Sequence, residues 1–295
     1  MKVTPFFSAL LLAGALGASA SHAGADTQQA NAAAVQIQHI RNATVKIEMA
    51  GTTFLVDPML ARQGAYPGFE GTYRSELRNP TAELPMTAQQ VLHNVDAVVV
   101  THTHPDHWDE AAQRAIPKHL PVFAQNADDA QLIRSQGFTD VRVLQGQATF
   151  NGVTLTKTGG QHGSDLLYAD PTRAQMLGPV MGVVFAAPEA KKVYVAGDTV
   201  WRPEVTQTLA QHQPEVVVLN TGSALMTGFE EHPIIMGRQD VLQATQQAPQ
   251  ATIIAVHMDA VNHMSLDRQT LRQFVAAQRI EQAVWVPEDG QARKF

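Results

Sequence analysis

The sequence predicts an α/β protein of the layered α+β kind, in which sheets are covered by helices. Three observations carry that prediction. Short runs rich in Val, Ile and Phe alternate with helical patterns along most of the chain. Four of those runs end in a residue able to ligate a metal, at the strand ends where α/β folds carry their sites. The 295 residues are 44% hydrophobic and 16% charged, which suits a large buried core. No shift in composition marks a linker. Residues 35–295 therefore read as one domain made of two similar halves.

The first residues read as an address. Lys2 supplies a positive start, residues 6–18 form a short apolar run, and Ala18-Ser19-Ala20 fits a small-residue cleavage site. Ser21-His22-Ala23 and Ala23-Gly24-Ala25 are further cuts, and a buried helix or a membrane anchor are the competing readings. The expectation is a cleaved signal peptide over residues 1–23, a disordered lead-in over 24–34, and a bacterial protein that is periplasmic or secreted. No later stretch is apolar for long enough to span a bilayer.

In the first half, residues 35–40 and 44–49 alternate apolar and polar around Arg41-Asn42 and predict a hairpin. Residues 53–56 predict a third strand that ends at Asp57-Pro58. Residues 59–85 show no period and suggest either a cover over a site or a plain surface loop. A short helix over 87–92 leads to a strand over 97–101. A strand over 121–124, a helix over 128–136 stopped by Gly137, and strands over 141–144 and 153–158 follow.

The second half repeats the alternation. Strands are predicted over 182–186, 193–196, 216–219, 252–256 and 283–286. Helices are predicted over 203–211, 239–247 and, capped by Asp267, through residue 280. The conformation of residues 166–180 does not follow from any pattern.

The chain is organised around His102-Thr103-His104-Pro105-Asp106-His107, which closes the apolar strand Val98-Val99-Val100. In an extended segment His102 and His104 point the same way. Asp106 and His107 follow Pro105, where the chain leaves the strand and can start a helix. Three more strands end alike: His162 follows 153–158, Asp198 follows 193–196 and His257 follows 252–256. Glycines beside His162 and Asp198 permit close approach of the backbone to an ion. Without a cysteine, no thiolate ligand, disulfide or cysteine nucleophile exists, so any metal site is built from His and carboxylates.

The order H-x-H-x-D-H, then His162, then Gly197-Asp198-Thr199, then His257 resembles the metallo-β-lactamase superfamily. Val56-Asp57-Pro58, Gly197 to Trp201 and His257 to His263 are similar to the branch that includes ascorbate-6-phosphate lactonase-like hydrolases. The resemblance implies a four-layer αββα sandwich with two divalent metal ions, zinc foremost and manganese or iron as alternatives. It implies that His102, His104 and His162 hold one ion, that Asp106, His107 and His257 hold the other, and that Asp198 bridges them. Spacing alone says only that these seven side chains converge.

His263 competes with His257 for the last ligand place, or else binds substrate, donates a proton or packs. Asp57 is expected to orient a ligand histidine, Thr199 to steady Asp198 and Asn220 to face the site; each also has an ordinary reading as a turn or strand-end residue. His39, His93, His119 and His212 are expected to be exposed or half-buried, and His232 to lie in a loop. Arg74, Arg78, Arg173 and Arg202 are candidates to meet an anionic substrate.

Two cations sharing a carboxylate can share a water, whose pKa one bound zinc lowers from ~15.7 to about 7. The expected activity is metal-dependent hydrolysis of a small lactone, ester or phosphorylated metabolite, with Asp106 and Asp198 in the chemistry. Phosphodiester or β-lactam-type amide hydrolysis is the alternative, and a non-catalytic periplasmic metal-binding protein is the second. A Gly-x-Ser-x-Gly elbow and a phosphate-binding loop are both missing from the sequence. A net charge of -6 argues against nucleic acid, leaving a small molecule as the expected partner; oligomeric state leaves no trace.

Overall fold

The computed structural model describes residues 1–4 and 34–295. The export signal and lead-in expected over 1–34 therefore lie outside the described residues, save Met1 to Thr4 and Ala34.

The first sheet begins with a meander, β1 (Gln36–Arg41), β2 (Thr44–Met49) and β3 (Thr52–Val56), paired antiparallel. Three parallel strands extend it: β4 (Ala97–Val100), β5 (Val122–Ala124) and β6 (Val141–Val143). The second sheet repeats this plan. An antiparallel run of β7 (Gln147–Phe150), β8 (Val153–Thr158), β9 (Gly182–Ala186) and β10 (Val193–Val195) is continued in parallel by β11 (Val216–Asn220), β12 (Thr252–Val256) and β13 (Val284–Trp285). The last strand, β14 (Ala292–Lys294), crosses back to pair with β1, so each sheet has seven strands.

Strand alternation sorts the core into layers. Val99, Phe54 and Ile47 of one sheet face Val183, Phe185, Val195 and Val218 of the other, and this cluster lies between the sheets. Val98, Val100 and Leu55 point outward beneath α1 (Ala88–Leu92), α2 (Glu110–Ala115) and α3 (Ala127–Ser135). Val184, Tyr194, Val217 and Leu219 point outward beneath α6 (Pro203–His212), α7 (Arg238–Gln247) and α8 (Arg268–Gln278). The result is the four-layer αββα sandwich. Burying each Val or Phe of the inter-sheet layer is worth ~1.5–3 kcal/mol, which makes that layer the main support of the site at its edge.

Several elements differ from the sequence expectation. The chain after Pro105 does not start a helix at once. Asp109 caps α2, accepting from the Ala112 N–H at 2.6 Å, so residues 105–109 form the turn that carries Asp106 and His107. Strand β7 was not anticipated, although Asn151-Gly152 behind it is a hairpin signal. Two short helices, α4 (Asp165–Tyr168) and α5 (Pro171–Leu177), fill the stretch that had no pattern; Asp170 caps the second and Pro171 opens it. His39 is fully buried, not exposed or half-buried; its Nε2 donates to the Asn42 carbonyl at 3.0 Å, and its Nδ1 lies 3.3 Å from the Glu288 carbonyl.

Candidate metal centre

The C-terminal ends of β3, β4, β8, β10, β11 and β12 meet at one edge of the sandwich, and all seven expected ligands lie there. His102, His104 and His162 present ligand atoms within 4.8 Å of one another. Asp106, His107, Asp198 and His257 form a second such group, with all four buried. Asp198 reaches across: its Oδ2 lies 3.1 Å from His107 Nε2 and 3.5 Å from His162 Nε2, while Oδ1 lies 3.5 Å from His257 Nε2.

Tautomers fix which nitrogen is free. The Ile234 carbonyl accepts from His162 Nδ1 at 2.8 Å, and the Met176 carbonyl accepts from His104 Nε2 at 3.0 Å. Their opposite nitrogens then carry lone pairs. His104 Nδ1 sits 3.0 Å from His102 Nε2, and His107 Nε2 sits 3.0 Å from His257 Nε2. Ring nitrogens converging at such distances must share either a proton or a cation. The residues therefore fit two ions of the His/carboxylate-binding class.

The charge balance agrees. Burial opposes charge on His107, yet Asp198, Asp106 and Asp57 outweigh it and hold its pKa well above the ordinary value. Burial also opposes charge on Asp198 and Asp106, but the neighbouring histidines bring both well below the usual carboxylate range. In the other group burial dominates and lowers His102 well below its ordinary value and His162 to about 4. Burial thus keeps His102 and His162 neutral, while the two carboxylates of the other group favour positive charge beside them, as a proton on His107 or as a cation.

Asp57 serves both halves. Its Oδ2 accepts from His107 Nδ1 at 2.9 Å and from the Thr101 hydroxyl at 2.7 Å, and Oδ1 accepts from the Thr101 N–H at 2.7 Å. The Thr101 oxygen then stands 3.2 Å from His102 Nδ1. Asn220 donates from Nδ2 to Asp198 Oδ1 at 2.6 Å, so it faces the site as expected. Thr199 does not touch Asp198; its hydroxyl accepts from the Gln161 N–H and donates to the Val200 carbonyl, holding the turn next to His162. His263 belongs to neither ligand group.

Over the ligand cluster lies a cavity of about 260 Å³, whose walls include Phe69, Met176, Leu177, Met226, Ile234 and His263. Among the described residues its charged lining is acidic, from Glu70 and Asp106, and contains no Lys or Arg. The four arginines considered for an anionic substrate are engaged elsewhere. Arg74 donates to the Asn262 and Met264 carbonyls and Arg78 to those of Gly64 and Ala65, while Arg173 pairs with Asp170 and Arg202 with Asp165. His232 is half-buried and does not line the cavity.

Sequence reasoning missed Thr101 and the carbonyls of Met176 and Ile234. It also missed Asn42, whose side chain donates to the Asp106 carbonyl at 2.9 Å and whose own carbonyl accepts from the His257 N–H at 2.9 Å. Asn at the expected hairpin turn, a residue type suited to the positive φ it adopts, was the one usable signal.

Comparison with known proteins agrees with this geometry. Residues 52–258 match the family described as the beta-lactamase superfamily domain. The Bacillus subtilis protein YddR, of the UPF0173 group, is 41% identical over 263 residues, covering 88% of this chain and 100% of the relative. A solved structure titled as a possible metal-dependent hydrolase from Veillonella parvula is 50% identical, with a TM-score of 0.86 over 88% of this chain and 98% of its own. An isothiocyanate hydrolase from Delia radicum gut bacteria is 47% identical, with a TM-score of 0.85 over 88% of this chain and 99% of its own.

Proposed function

The chain belongs to the beta-lactamase superfamily and is a metal-dependent hydrolase, and from that premise we propose that it cleaves small, uncharged electrophiles carrying an apolar tail, isothiocyanates first among them. The observation that carries this reading is the cavity lining. Met176, Leu177, Met226, Ile234 and Phe69 offer an apolar slot, and no cation waits there for a phosphate or carboxylate. An anionic tail in the slot would meet Glu70 and Asp106, with only the bound ions at the floor to offset its charge. The isothiocyanate hydrolase at 47% identity supports the same class. Lactones and esters with short apolar tails share this chemistry; phosphorylated metabolites, phosphodiesters and β-lactams, which carry anionic groups, fit it poorly.

His102, His104 and His162 would hold one divalent ion, and Asp106, His107 and His257 the other, with Asp198 between them. Zinc is the proposed ion for this cysteine-free set, with manganese or iron as the alternatives. Bound there, such ions activate water and polarise the group under attack. The chain's own part is to orient and exclude. Asp57 fixes the ring planes of His107 and His102, Asn220 aims Asp198, and the apolar slot keeps bulk water from the reacting carbon. To Asp106, whose Oδ2 lies 3.4 Å from His257 Nε2, we assign the uptake and onward transfer of the proton released by the attacking water.

The test is a substrate panel on zinc-, manganese- and iron-loaded protein: benzyl isothiocyanate, p-nitrophenyl acetate, a short-chain lactone, bis(p-nitrophenyl) phosphate and a β-lactam. Turnover of the uncharged members alone is expected. Preference for the phosphodiester or the β-lactam overturns the substrate class, and metal uptake without any turnover returns the protein to a metal-binding role. We propose further that residues 1–23 direct export to the periplasm or medium; a mature protein whose first residue still belongs to that segment would contradict it.

A further inference from the structure

We propose that His263 is a substrate-contacting catalytic residue, a neutral imidazole that donates a hydrogen bond from Nε2 to the substrate atom on which charge develops. This rests on the hydrolase reading above and adds the residue that meets the organic half of the reaction. His263 lines the cavity and is 6% exposed. Among the described residues neither ring nitrogen has a hydrogen-bond partner, and Nδ1 is sealed from solvent. A sealed, unpartnered N–H costs more than a sealed lone pair, so the proton belongs on Nε2, the ring atom open to the cavity. The ring lies outside both ligand groups and is therefore free to face substrate.

Its position is built with care. The neighbouring Asn262 accepts from the Phe69 N–H at 3.0 Å and from Asn79 Nδ2 at 2.8 Å through Oδ1. Its Nδ2 donates to the Thr72 hydroxyl at 2.9 Å and to the Tyr73 carbonyl at 2.7 Å. Arg74 donates to the Asn262 and Met264 carbonyls, and the His263 carbonyl accepts from the Leu225 N–H at 3.0 Å. Phe69, clipped in place by Asn262, stands edge-on to the His263 ring with centroids 5.1 Å apart. Asn262, Asn79 and Arg74 beside it all find protein partners, while the His263 ring does not. That is the signature of a group kept for a ligand.

For an isothiocyanate the step balances without another reactant. The water oxygen bonds to the central carbon, and the carbon–nitrogen π pair moves to nitrogen. The nitrogen gains one water proton, and the product is a thiocarbamic acid that separates into amine and carbonyl sulfide. His263 Nε2–H meets the nitrogen as its charge grows and ends the step protonated as it began. For an ester or lactone the same N–H meets the leaving oxygen.

The experiment compares His263→Phe, which keeps the ring packed on Phe69 but loses the donor, with His263→Asn, which keeps a donor. Metal content and thermal midpoint are measured beside kcat and KM on benzyl isothiocyanate and p-nitrophenyl acetate. The expected result is a 10- to 100-fold fall in kcat for the Phe variant with KM nearly constant, a smaller fall for Asn, and unchanged metal content. A Phe variant with wild-type kcat, or either variant with loss of bound metal, overturns the proposal. A wild-type enzyme that turns over the ester alone overturns the isothiocyanate reading only, and His263 is then judged on the ester. If the wild type turns over neither, calorimetric binding of N-benzylthiourea decides: tenfold weaker binding to the Phe variant supports the donor, and equal or undetectable binding in both overturns it.

Discussion

Asp57 joins two histidines that belong to different ligand groups, directly at His107 and through Thr101 at His102. A partner of this kind typically accounts for 10- to 100-fold in metal affinity or activity. Asp57→Asn keeps the shape but cannot accept from both Thr101 and His107 as the carboxylate does. It is expected to lower zinc affinity by about 10- to 100-fold at both positions, measured by competition with a chromogenic chelator; a loss at the His107 position alone would contradict the shared role. His39 carries a second prediction at this scale. Burial, reinforced by Arg268, lowers its pKa to about 4. The unfolded chain takes up the proton at about 6.5, so between those values it binds more protons than the native state. Stability from this group is complete above pH ~6.5 and is lost as pH falls toward 4, on the order of 3 kcal/mol in all. His39→Gln should flatten the fall of the urea midpoint between pH 7 and pH 4; parallel slopes for both proteins would refute it.

Strand ends place the site, and glycine decides how closely they approach. Gly197, just before Asp198, has φ +70, and a Cβ there would stand 2.4 Å from the Met181 carbonyl oxygen. Gly222, after Asn220, would bring a Cβ 2.2 Å from the His257 carbonyl oxygen. Gly197→Ala is expected to destabilise the fold by about 2 kcal/mol or more, since left-handed backbone alone costs an alanine ~1–2 kcal/mol. It should also reduce metal content by shifting the bridging carboxylate. A thermal midpoint and metal content equal to wild type would remove this constraint. The same elements show what was legible in advance. Val98-Val99-Val100 and Val216-Val217-Val218 read as strands because a strand buried on both faces must be apolar throughout. His102 to His107 read as ligands because residue types and spacing are side-chain properties. The Met176 and Ile234 carbonyls could not be read, because a backbone acceptor leaves no mark on its own side chain. Helices α4 and α5 were hidden because they are short and only Leu167 and Leu177 of their residues are buried. The burial of His39 came from the turn that leads into β14, whose Glu288 carbonyl meets its ring across 249 residues.

At the scale of the molecule, two similar sheets bring distant segments together: His107 and His257 are neighbours only because the sandwich closes. The edge of that sandwich buries Asp106, Asp198 and four histidines side by side. Ions that bind only the native state stabilise it by mass action, about 2.7 kcal/mol at a free concentration 100 times Kd. Chelation should therefore lower the thermal midpoint, and zinc should restore it; an unmoved midpoint would mean that the ligands are not coupled to the fold. Among the described residues no helix is long and apolar enough to cross a membrane. The apolar slot over the site is instead the surface that selects substrate, and its lack of a cation is a property of the whole arrangement, since Arg74, Arg78, Arg173 and Arg202 are all tied elsewhere.

The central claim is that hydrolysis depends on cations held by the His102–His107 turn together with His162, Asp198 and His257. The most direct measurement follows metal equivalents per chain, by plasma mass spectrometry, alongside the hydrolysis rate in the same samples through chelation and zinc re-addition. Two equivalents in the active protein, activity that falls with metal content and returns with it, and neither in Asp198→Ala are the results expected. Full hydrolysis by protein stripped of metal, or by Asp198→Ala, would contradict the account.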